Sequence, residues 1–186
     1  MPPKVKTTKE DIIRAAINLV REGGEESINA RSIAGSLKCS TQPVFSNFSS
    51  MTELKFKVIE EADKLYNKYI NDELEKGLYP PYKASGMAYI RVAKEEKELF
   101  KLLYMRNRNG EQISTDVTVN NKTEELVYKN TGFVGDDNKL FHLEIWAYVH
   151  GIATMFATDF LDLEWELVSK MLTDAYQSLK AFNGTE

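Results

Sequence analysis

The sequence offers little material for a disulfide framework, a membrane anchor or an export signal. Its 186 residues include a single cysteine, Cys39, which cannot form an intrachain disulfide and fits a reducing cytoplasm. No apolar run reaches the roughly 18 residues that a membrane-spanning helix needs. The N-terminus, MPPKVKTTKED, lacks the apolar core of a signal peptide. We therefore expect a cytoplasmic protein that has no membrane partner.

The sequence also lacks the patterns that predict catalysis or metal binding. Its two histidines, His142 and His150, are eight residues apart, about two helical turns, which is too far for joint ligation of a metal ion. There is no glycine-rich phosphate loop, no metal-spaced cluster and no nucleophile paired with a base. An enzyme is therefore the least favoured class of protein, and we expect neither a metal nor a cofactor.

Charge is distributed unevenly along the chain. Residues 1–58 contain nine Lys/Arg and six Asp/Glu, or +3, whereas residues 59–186 contain fifteen and twenty-two, or −7, which together give the net charge of −4. A basic segment attracts phosphate locally even when the whole chain is acidic. Apolar residues at 42% and charged residues at 28% are ordinary for a globular protein. We predict two domains, 1–58 and 59–186.

Residues 8–48 predict three helices, of which the last two form a helix-turn-helix. Thr8 with Asp11 resembles a capping box at the start of the first helix, which Gly23-Gly24 ends. Asn29 can cap the second helix, and Ser40 can cap a short third helix, Thr41–Asn47. Two such short helices need flanking helices as a brace, and the second presents its N-terminal residues to the major groove of DNA. Sequence-specific DNA binding is therefore the leading functional hypothesis.

The rest of the chain is also predicted to be helical. A long helix begins at Met51 after a cap at Ser49 or Ser50 and ends near Lys76, before Gly77 and Pro80-Pro81. No segment of useful length shows strand-like alternation, so the fold class is all-α, with a three-helix head joined by the long helix to a helical body. Further helices are predicted at about 82–95, 97–106, 121–130, 136–160 and 163–182, with a loop at 107–120.

The chain resembles the TetR family of bacterial transcription regulators, most strongly over residues 8–58. The resemblance rests on Gly23-Gly24, Ile33-Ala34 and the sequence Phe-Ser-Asn-Phe at 45–48, together with the run Ser-Thr-Gln-Pro at 40–43. Further on, Trp146 with His150-Gly151 resembles the WHG type of ligand-binding body. The resemblance implies a homodimer that binds a palindromic DNA operator and a small-molecule effector.

Eight polar or basic residues of the head are candidate DNA contacts. Gln and Asn can pair bidentately with adenine, and Thr can touch a thymine methyl group. Contacts to phosphates set the register of a protein on DNA and carry no sequence information. Each of these residues is also compatible with an ordinary solvated side chain or helix cap. The predicted base-facing residues are Thr41, Gln42, Ser46 and Asn47, and the predicted phosphate contacts are Arg31, Ser40, Lys55 and Lys57.

The body contains a candidate effector pocket and a candidate dimer interface. Aromatic and flexible side chains with polar Tyr and His tips suit a small-molecule pocket, although an ordinary core uses the same residue types. Small residues on one helix and a long apolar strip on the last suit the four-helix dimer interface that the resemblance implies. The predicted pocket residues are Met87, Phe100, Leu103, Tyr104, Trp146 and His150. The predicted interface residues are Ala147, Gly151, Thr154, Thr158, Val168, Met171, Leu172, Ala175 and Leu179.

Two functional hypotheses follow. The favoured one is a dimeric, ligand-responsive transcription regulator, specifically a repressor that a small molecule releases from a palindromic operator. The alternative is a helical dimer that binds a small molecule or a partner and carries a degenerate DNA-binding head. The alternative rests on three departures from the family pattern: Lys38 where the turn usually has Gly, Phe45 where Tyr is usual, and Met51 where Lys is usual.

Overall fold

The computed structural model describes residues 7–108 and 121–184, and these residues form helices and connecting turns without any strand. The predicted all-α fold class is therefore confirmed. Within the described ranges, none of the helices has the length and apolar character that crossing a membrane requires. The helices are α1 Lys9–Gly23, α2 Ala30–Ser36, α3 Gln42–Asn47, α4 Met51–Lys76, α5 Pro81–Glu95, α6 Lys97–Tyr104, α7 Asn121–Thr131, α8 Gly135–Ala157 and α9 Trp165–Asn183.

The chain divides into two compact units. The first contains Met1–Leu65 and Glu96–Arg106, and the second contains Tyr66–Glu95 and Asn107–Glu186. Helix α4 contributes residues to both units, and α6 belongs to the first although α5, which precedes it, belongs to the second. Helix α6 packs against α1. Arg21 of α1 fixes the start of α6 by donating hydrogen bonds of 2.8 Å from Nε and from Nη2 to the carboxylate of Glu96.

Helix α1 begins with the predicted capping box. The backbone N–H of Asp11 donates to Thr8 Oγ1, and the N–H of Thr8 donates to Asp11 Oδ2, both at 3.1 Å. These hydrogen bonds satisfy N–H groups that have no partner inside the helix. The apolar side of α1 is buried in the first unit. Gly24, at φ 73°, ends the helix in a conformation that favours glycine.

The helix-turn-helix is formed as predicted, with one difference at its cap. Asn29 caps α2, because its Oδ1 accepts a 2.9 Å hydrogen bond from the N–H of Ser32. The predicted cap at Ser40 is wrong: Thr41 occupies the cap position of α3, and its side chain makes no capping hydrogen bond. Pro43 lies in the first turn of α3 and has no N–H, so one of the two donors that usually bind a capping side chain is missing.

The turn between α2 and α3 places Lys38 at φ 52°, in the left-handed region. This conformation costs a non-glycine residue about 1–2 kcal/mol. The resemblance described above implies glycine in this turn, and Lys38 adopts a conformation that favours glycine. Lysine at this position therefore lowers the stability of the turn.

Helix α4 is capped at its start and broken by glycine at its end. Ser50 Oγ accepts a 3.1 Å hydrogen bond from the N–H of Glu53, and the carboxylate of Glu53 accepts one of 2.7 Å from the N–H of Ser49. Of the two predicted caps, Ser50 is thus the capping residue, and Ser49 closes the reciprocal bond. Gly77, at φ 63°, follows the last residue of the helix.

Helix α5 is the most buried element of the second unit, where it packs on α7, α8 and α9. Gly86 allows this packing, because a Cβ atom there would lie 3.2 Å from Leu172 Cδ2 of α9 and 3.5 Å from Val149 Cγ2 of α8. A hydrophobic cluster of the second unit contains Tyr82, Val127 and Phe141, which join α5, α7 and α8.

Most predicted helix ends agree with the structure to within about two residues. Helix α8 is the exception at its C-terminus, since it ends at Ala157 and Asp159 adopts a φ of 57°, whereas the spacing predicted helix as far as Phe160. Of the predicted loop at 107–120, residues 109–120 lie outside the described residues.

Candidate DNA-binding and effector-binding sites

Helix α3 has one buried side and one exposed side. Val44 and Phe48 are almost completely buried in the first unit and anchor the helix. Residues 42, 45 and 46 follow the spacing i, i+3 and i+4, which places them on one face. All three are exposed, and Phe45 keeps 59% of its surface accessible. Gln42, Phe45 and Ser46 therefore form the outward face of α3, which we call the α3 face.

The four predicted base-facing residues are not equivalent in the structure. Ser46 lies on the α3 face, but its Oγ donates within the helix to the carbonyl oxygen of Gln42 at 2.8 Å. Asn47 is half-buried, and its Nδ2 donates to the carbonyl oxygen of Pro43 at 2.8 Å. Thr41 is also half-buried at the start of the helix. Gln42 is the predicted polar base reader that the structure leaves most open.

The predicted phosphate contacts are spread over α2, the turn and α4. Arg31 and Ser40 are exposed. Lys55 lies 3.3 Å from the carboxylate of Glu25, and Lys57 lies 2.7 Å from that of Glu60. Exposed ion pairs of this kind contribute about 0–1 kcal/mol, so phosphate can replace either carboxylate at small cost.

Two exposed residues of the helix-turn-helix were not among the predicted DNA contacts. In the sequence, Phe45 stands out only as a departure from the usual tyrosine. Its position on the α3 face follows from its i+3 spacing to Gln42. Lys38 is exposed in the turn before α3 and adds a positive charge there. For Phe45 the signal was available in the sequence, once helical spacing is applied to residues 42–48.

The six predicted pocket residues lie in different units. Met87, Trp146 and His150 belong to the second unit. Phe100, Leu103 and Tyr104 are on α6 and belong to the first, where Phe100 is fully buried and Leu103 nearly so. The six predicted residues are therefore divided between the two units, and Phe100 and Leu103 serve the core of the first unit.

An aromatic and polar cluster in the second unit joins α4, α5 and α8. Tyr89 Oη lies 2.8 Å from His150 Nδ1, and the ring of His150 stacks on Trp146 with centroids 4.9 Å apart and planes inclined by 16°. Tyr66 contacts the ring of Tyr89 edge-on at 5.9 Å. We call these four residues, Tyr66, Tyr89, Trp146 and His150, the Tyr89 cluster.

Burial keeps the hydrogen-bonded pair of this cluster neutral near pH 7. Desolvation raises the pKa of Tyr89 well above its ordinary value, and desolvation also lowers the pKa of His150. Tyr89 can donate its O–H to Nδ1 of neutral His150 when the ring proton of the histidine is on Nε2.

A second Tyr–His pair lies two helical turns away on the same two helices. Tyr82 Oη lies 2.9 Å from His142 Nδ1, and Tyr82 also packs beside Phe141 and Tyr176. Burial raises the pKa of Tyr82 strongly. The two tyrosines are seven residues apart on α5 and the two histidines eight apart on α8, so both histidines of the chain bind a buried tyrosine. This similar spacing, about two helical turns on each helix, is the signal that could have predicted the pairs.

Glu73 of α4 is a buried carboxylate of the second unit that the sequence did not single out. Its side chain is 1% exposed, and its Oε2 forms an ion pair with Arg91 Nη1 at 2.7 Å and accepts a hydrogen bond from Lys76 Nζ at 3.0 Å. Oε1 is buried and has no hydrogen-bond partner among the described residues. The guanidinium of Arg91 also lies 5.6 Å from the ring centroid of Trp165.

The predicted interface residues fall into three levels of exposure. Ala147 of α8 and Thr158, which directly follows that helix, are exposed, while five others are half-buried: Gly151, Thr154, Met171, Ala175 and Leu179. Val168 and Leu172 are buried within the chain itself, against α5 and α8, so they have little surface left for a partner. Large apolar side chains that the prediction omitted are exposed on the same helices: Leu140 and Leu143 on α8, and Leu167 and Phe182 on α9.

The described residues contain no group of three or more His, Cys, Asp or Glu side chains arranged to hold a metal ion. The two-unit helical architecture, with a capped helix-turn-helix near its start, is a TetR-like fold. The chain is similar over 95% of its length to a TetR-like transcriptional regulator from Rhodococcus sp. RHA1, of which it covers 96%, with a TM-score of 0.68 and 14% identity. It is similar over 90% of its length to a member of the TetR family from Streptomyces coelicolor A3, of which it covers 96%, with a TM-score of 0.65 and 14% identity. No protein-family model and no curated protein matches the chain.

Proposed function

We propose that the protein is a dimeric, ligand-responsive transcription regulator that binds a palindromic operator through α3. The observation that carries this proposal is the α3 face, which a buried Val44 and Phe48 hold outward on a braced helix-turn-helix. Both structural neighbours are transcriptional regulators, which supports a regulator over an enzyme. The proposed domains are residues 1–58 for DNA binding and 59–186 for effector binding and dimerisation.

Within the head, the proposed roles follow from chemistry and exposure. Gln42 has both an amide donor and an acceptor, which is what a bidentate contact to adenine needs. Ser46, Thr41 and Asn47 are proposed to make further contacts to DNA beside the contact of Gln42. Arg31, Ser40, Lys55 and Lys57 bind phosphates, and the two lysines exchange their carboxylate partners for the DNA backbone.

Dimerisation is proposed through the exposed faces of α8 and α9. Leu140, Leu143 and Ala147 share a face of α8 with the small residues at 151, 154 and 158, and small side chains let a second helix approach closely. On α9 the exposed apolar contribution comes from Leu167 and Phe182, with Met171, Ala175 and Leu179 beside them. Two α3 helices related by a two-fold axis match successive turns of B-DNA when they lie about 34–36 Å apart.

The effector is proposed to bind in the second unit, beside the Tyr89 cluster and Met87. This cluster combines aromatic surface with polar groups that fix orientation, as small-molecule sites do. The acidic balance of residues 59–186 favours a neutral or cationic apolar compound. Regulation would be a population shift, in which the effector stabilises a spacing of the two heads that no longer fits the operator, with α4 as the lever. The protein would thus be a repressor.

The test is selection of bound fragments from a random DNA pool with the full-length protein, repeated at two salt concentrations. Enrichment of a palindrome that survives the higher salt supports the proposal, because base contacts persist when counterions weaken phosphate contacts. The selected operator then serves as a probe for effectors that release it.

One alternative has an observation in its favour. Lys55 and Lys57 both pair with carboxylates, which weakens the attraction of these two ammonium groups for phosphate. A helical dimer that binds a small molecule or a partner, with a degenerate head, would recover unrelated DNA sequences that wash off with salt. That outcome of the selection would favour this alternative over the transcription regulator.

A further inference from the structure

We propose that Phe45 is a specificity-determining residue that packs against the methyl group of a thymine in each operator half-site. The inference rests on the proposed function and adds the identity of a base that the protein reads. It starts from the composition of the α3 face, where Phe45 lies between Gln42 and Ser46 and is more than half exposed.

The chemistry of Phe45 limits what it can contact on DNA. A phenylalanine side chain has no hydrogen-bond donor and no charge, so it cannot bind a phosphate oxygen, and it cannot pair with the polar edge of guanine or cytosine. The apolar group in the major groove is the C5 methyl group of thymine. Burying both apolar surfaces removes them from water, which favours the contact.

The neighbouring side chain points to the same base pair. Gln42 lies one turn before Phe45 on the α3 face, and its amide suits the N6 and N7 atoms of adenine. Adenine pairs with thymine, whose methyl group lies in the same groove. Ser46 donates its hydroxyl hydrogen within the helix, so Gln42 and Phe45 are left as the two side chains of this face with complementary roles. An A·T pair satisfies both.

The test uses the operator obtained by selection. Each thymine of a half-site is replaced singly by deoxyuridine, which keeps the base-pairing edge and removes only the methyl group. We expect one such replacement to weaken binding by the wild-type protein roughly fourfold, the value of burying one methyl-sized group at about 0.8 kcal/mol. Phe45→Ala should bind the thymine operator about fourfold more weakly and should no longer distinguish thymine from deoxyuridine.

Phe56→Ala is the matched control, because Phe56 of α4 belongs to the same unit and is 50% exposed. This variant should lose the same kind of side chain and keep the wild-type preference for thymine. Exposure of Phe45 predicts that Phe45→Ala folds normally, which thermal unfolding verifies.

Three results would overturn the inference: a selected half-site without thymine, a wild-type protein indifferent to every deoxyuridine replacement, or a Phe45→Ala variant that keeps the full preference. Each leaves a salt-resistant palindrome, and with it the proposed function, intact. If the selection enriches no palindrome, the proposed function itself is contradicted.

Discussion

Removing Arg91 tests the buried ion pair of the second unit. Glu73 is 1% exposed, and one of its carboxylate oxygens lies 2.7 Å from Arg91 Nη1 in an ion pair and accepts a 3.0 Å hydrogen bond from Lys76. The other oxygen has no hydrogen-bond partner among the described residues. Arg91→Met would leave the buried charge with Lys76 alone. Breaking a buried pair in this way costs about 3–5 kcal/mol, and we expect the lower end because Lys76 remains.

The measurement is the free energy of unfolding in urea at pH 7. Lys170→Met is the control, because Lys170 pairs with Asp174 on the exposed side of α9, and loss of such a pair should change stability by less than about 1 kcal/mol. The double variant Glu73→Leu/Arg91→Met should recover much of the loss, because an apolar pair replaces a buried charge that lacks full compensation.

The free energies of unfolding of these three variants test whether the burial of the Glu73 charge determines the loss of stability. If Arg91→Met is no less stable than Lys170→Met, the carboxylate of Glu73 is solvated and does not depend on Arg91. A double variant as unstable as the single one would show that packing of the Arg91 side chain, for instance on Trp165, is what the substitution removes.

Three further predictions concern the helix-turn-helix and the Tyr89 cluster. Gln42→Ala should weaken binding to the selected operator while leaving non-specific binding nearly unchanged; equal loss on both DNAs in a titration would exclude base reading by Gln42. Lys38→Gly should raise the free energy of unfolding by up to about 1 kcal/mol, because Lys38 is held at φ 52°; a destabilised variant would contradict the strain. Burial lowers the pKa of His150, so the unfolded chain binds a proton more readily than the folded one. Stability from this group is therefore fully present above the ordinary histidine pKa of about 6.5 and is lost as pH falls below it. His150→Gln should flatten the decline in unfolding temperature between pH 7 and 5, and an unchanged slope would refute this role.

The sequence predicted the helices well because their signals are local. A capping box at Thr8, a cap at Asn29 and glycines at helix ends each act within about one turn, so a short window of residues contains the whole cause. The one wrong cap, at Ser40, failed for a reason that is also local, since Pro43 removes a donor from the first turn of α3. The α3 face could have been read in full from the spacing of residues 42–48.

The candidate sites of the body were harder to predict because their partners are distant in sequence. Residue type marked Trp146 and His150, but Tyr89, which completes their cluster, is 61 residues before His150. Phe100 and Leu103 carry the same aromatic and apolar signal as a pocket, and the structure instead buries them in the first unit. An apolar stripe predicts that a face is buried and cannot name the helix that buries it.

The sequence by itself determined the all-α class, the order of helices and the helix-turn-helix, because periodicity and capping are properties of neighbouring residues. Tertiary structure alone decided that α6 returns to the first unit, where Arg21 meets Glu96 across 75 residues, and that α5 lies beside α8 with two Tyr–His pairs. It also decided that the carboxylate of Glu73 is buried beside Arg91 of the next helix. These contacts depend on the packing of whole helices, so no segment of the sequence contains them.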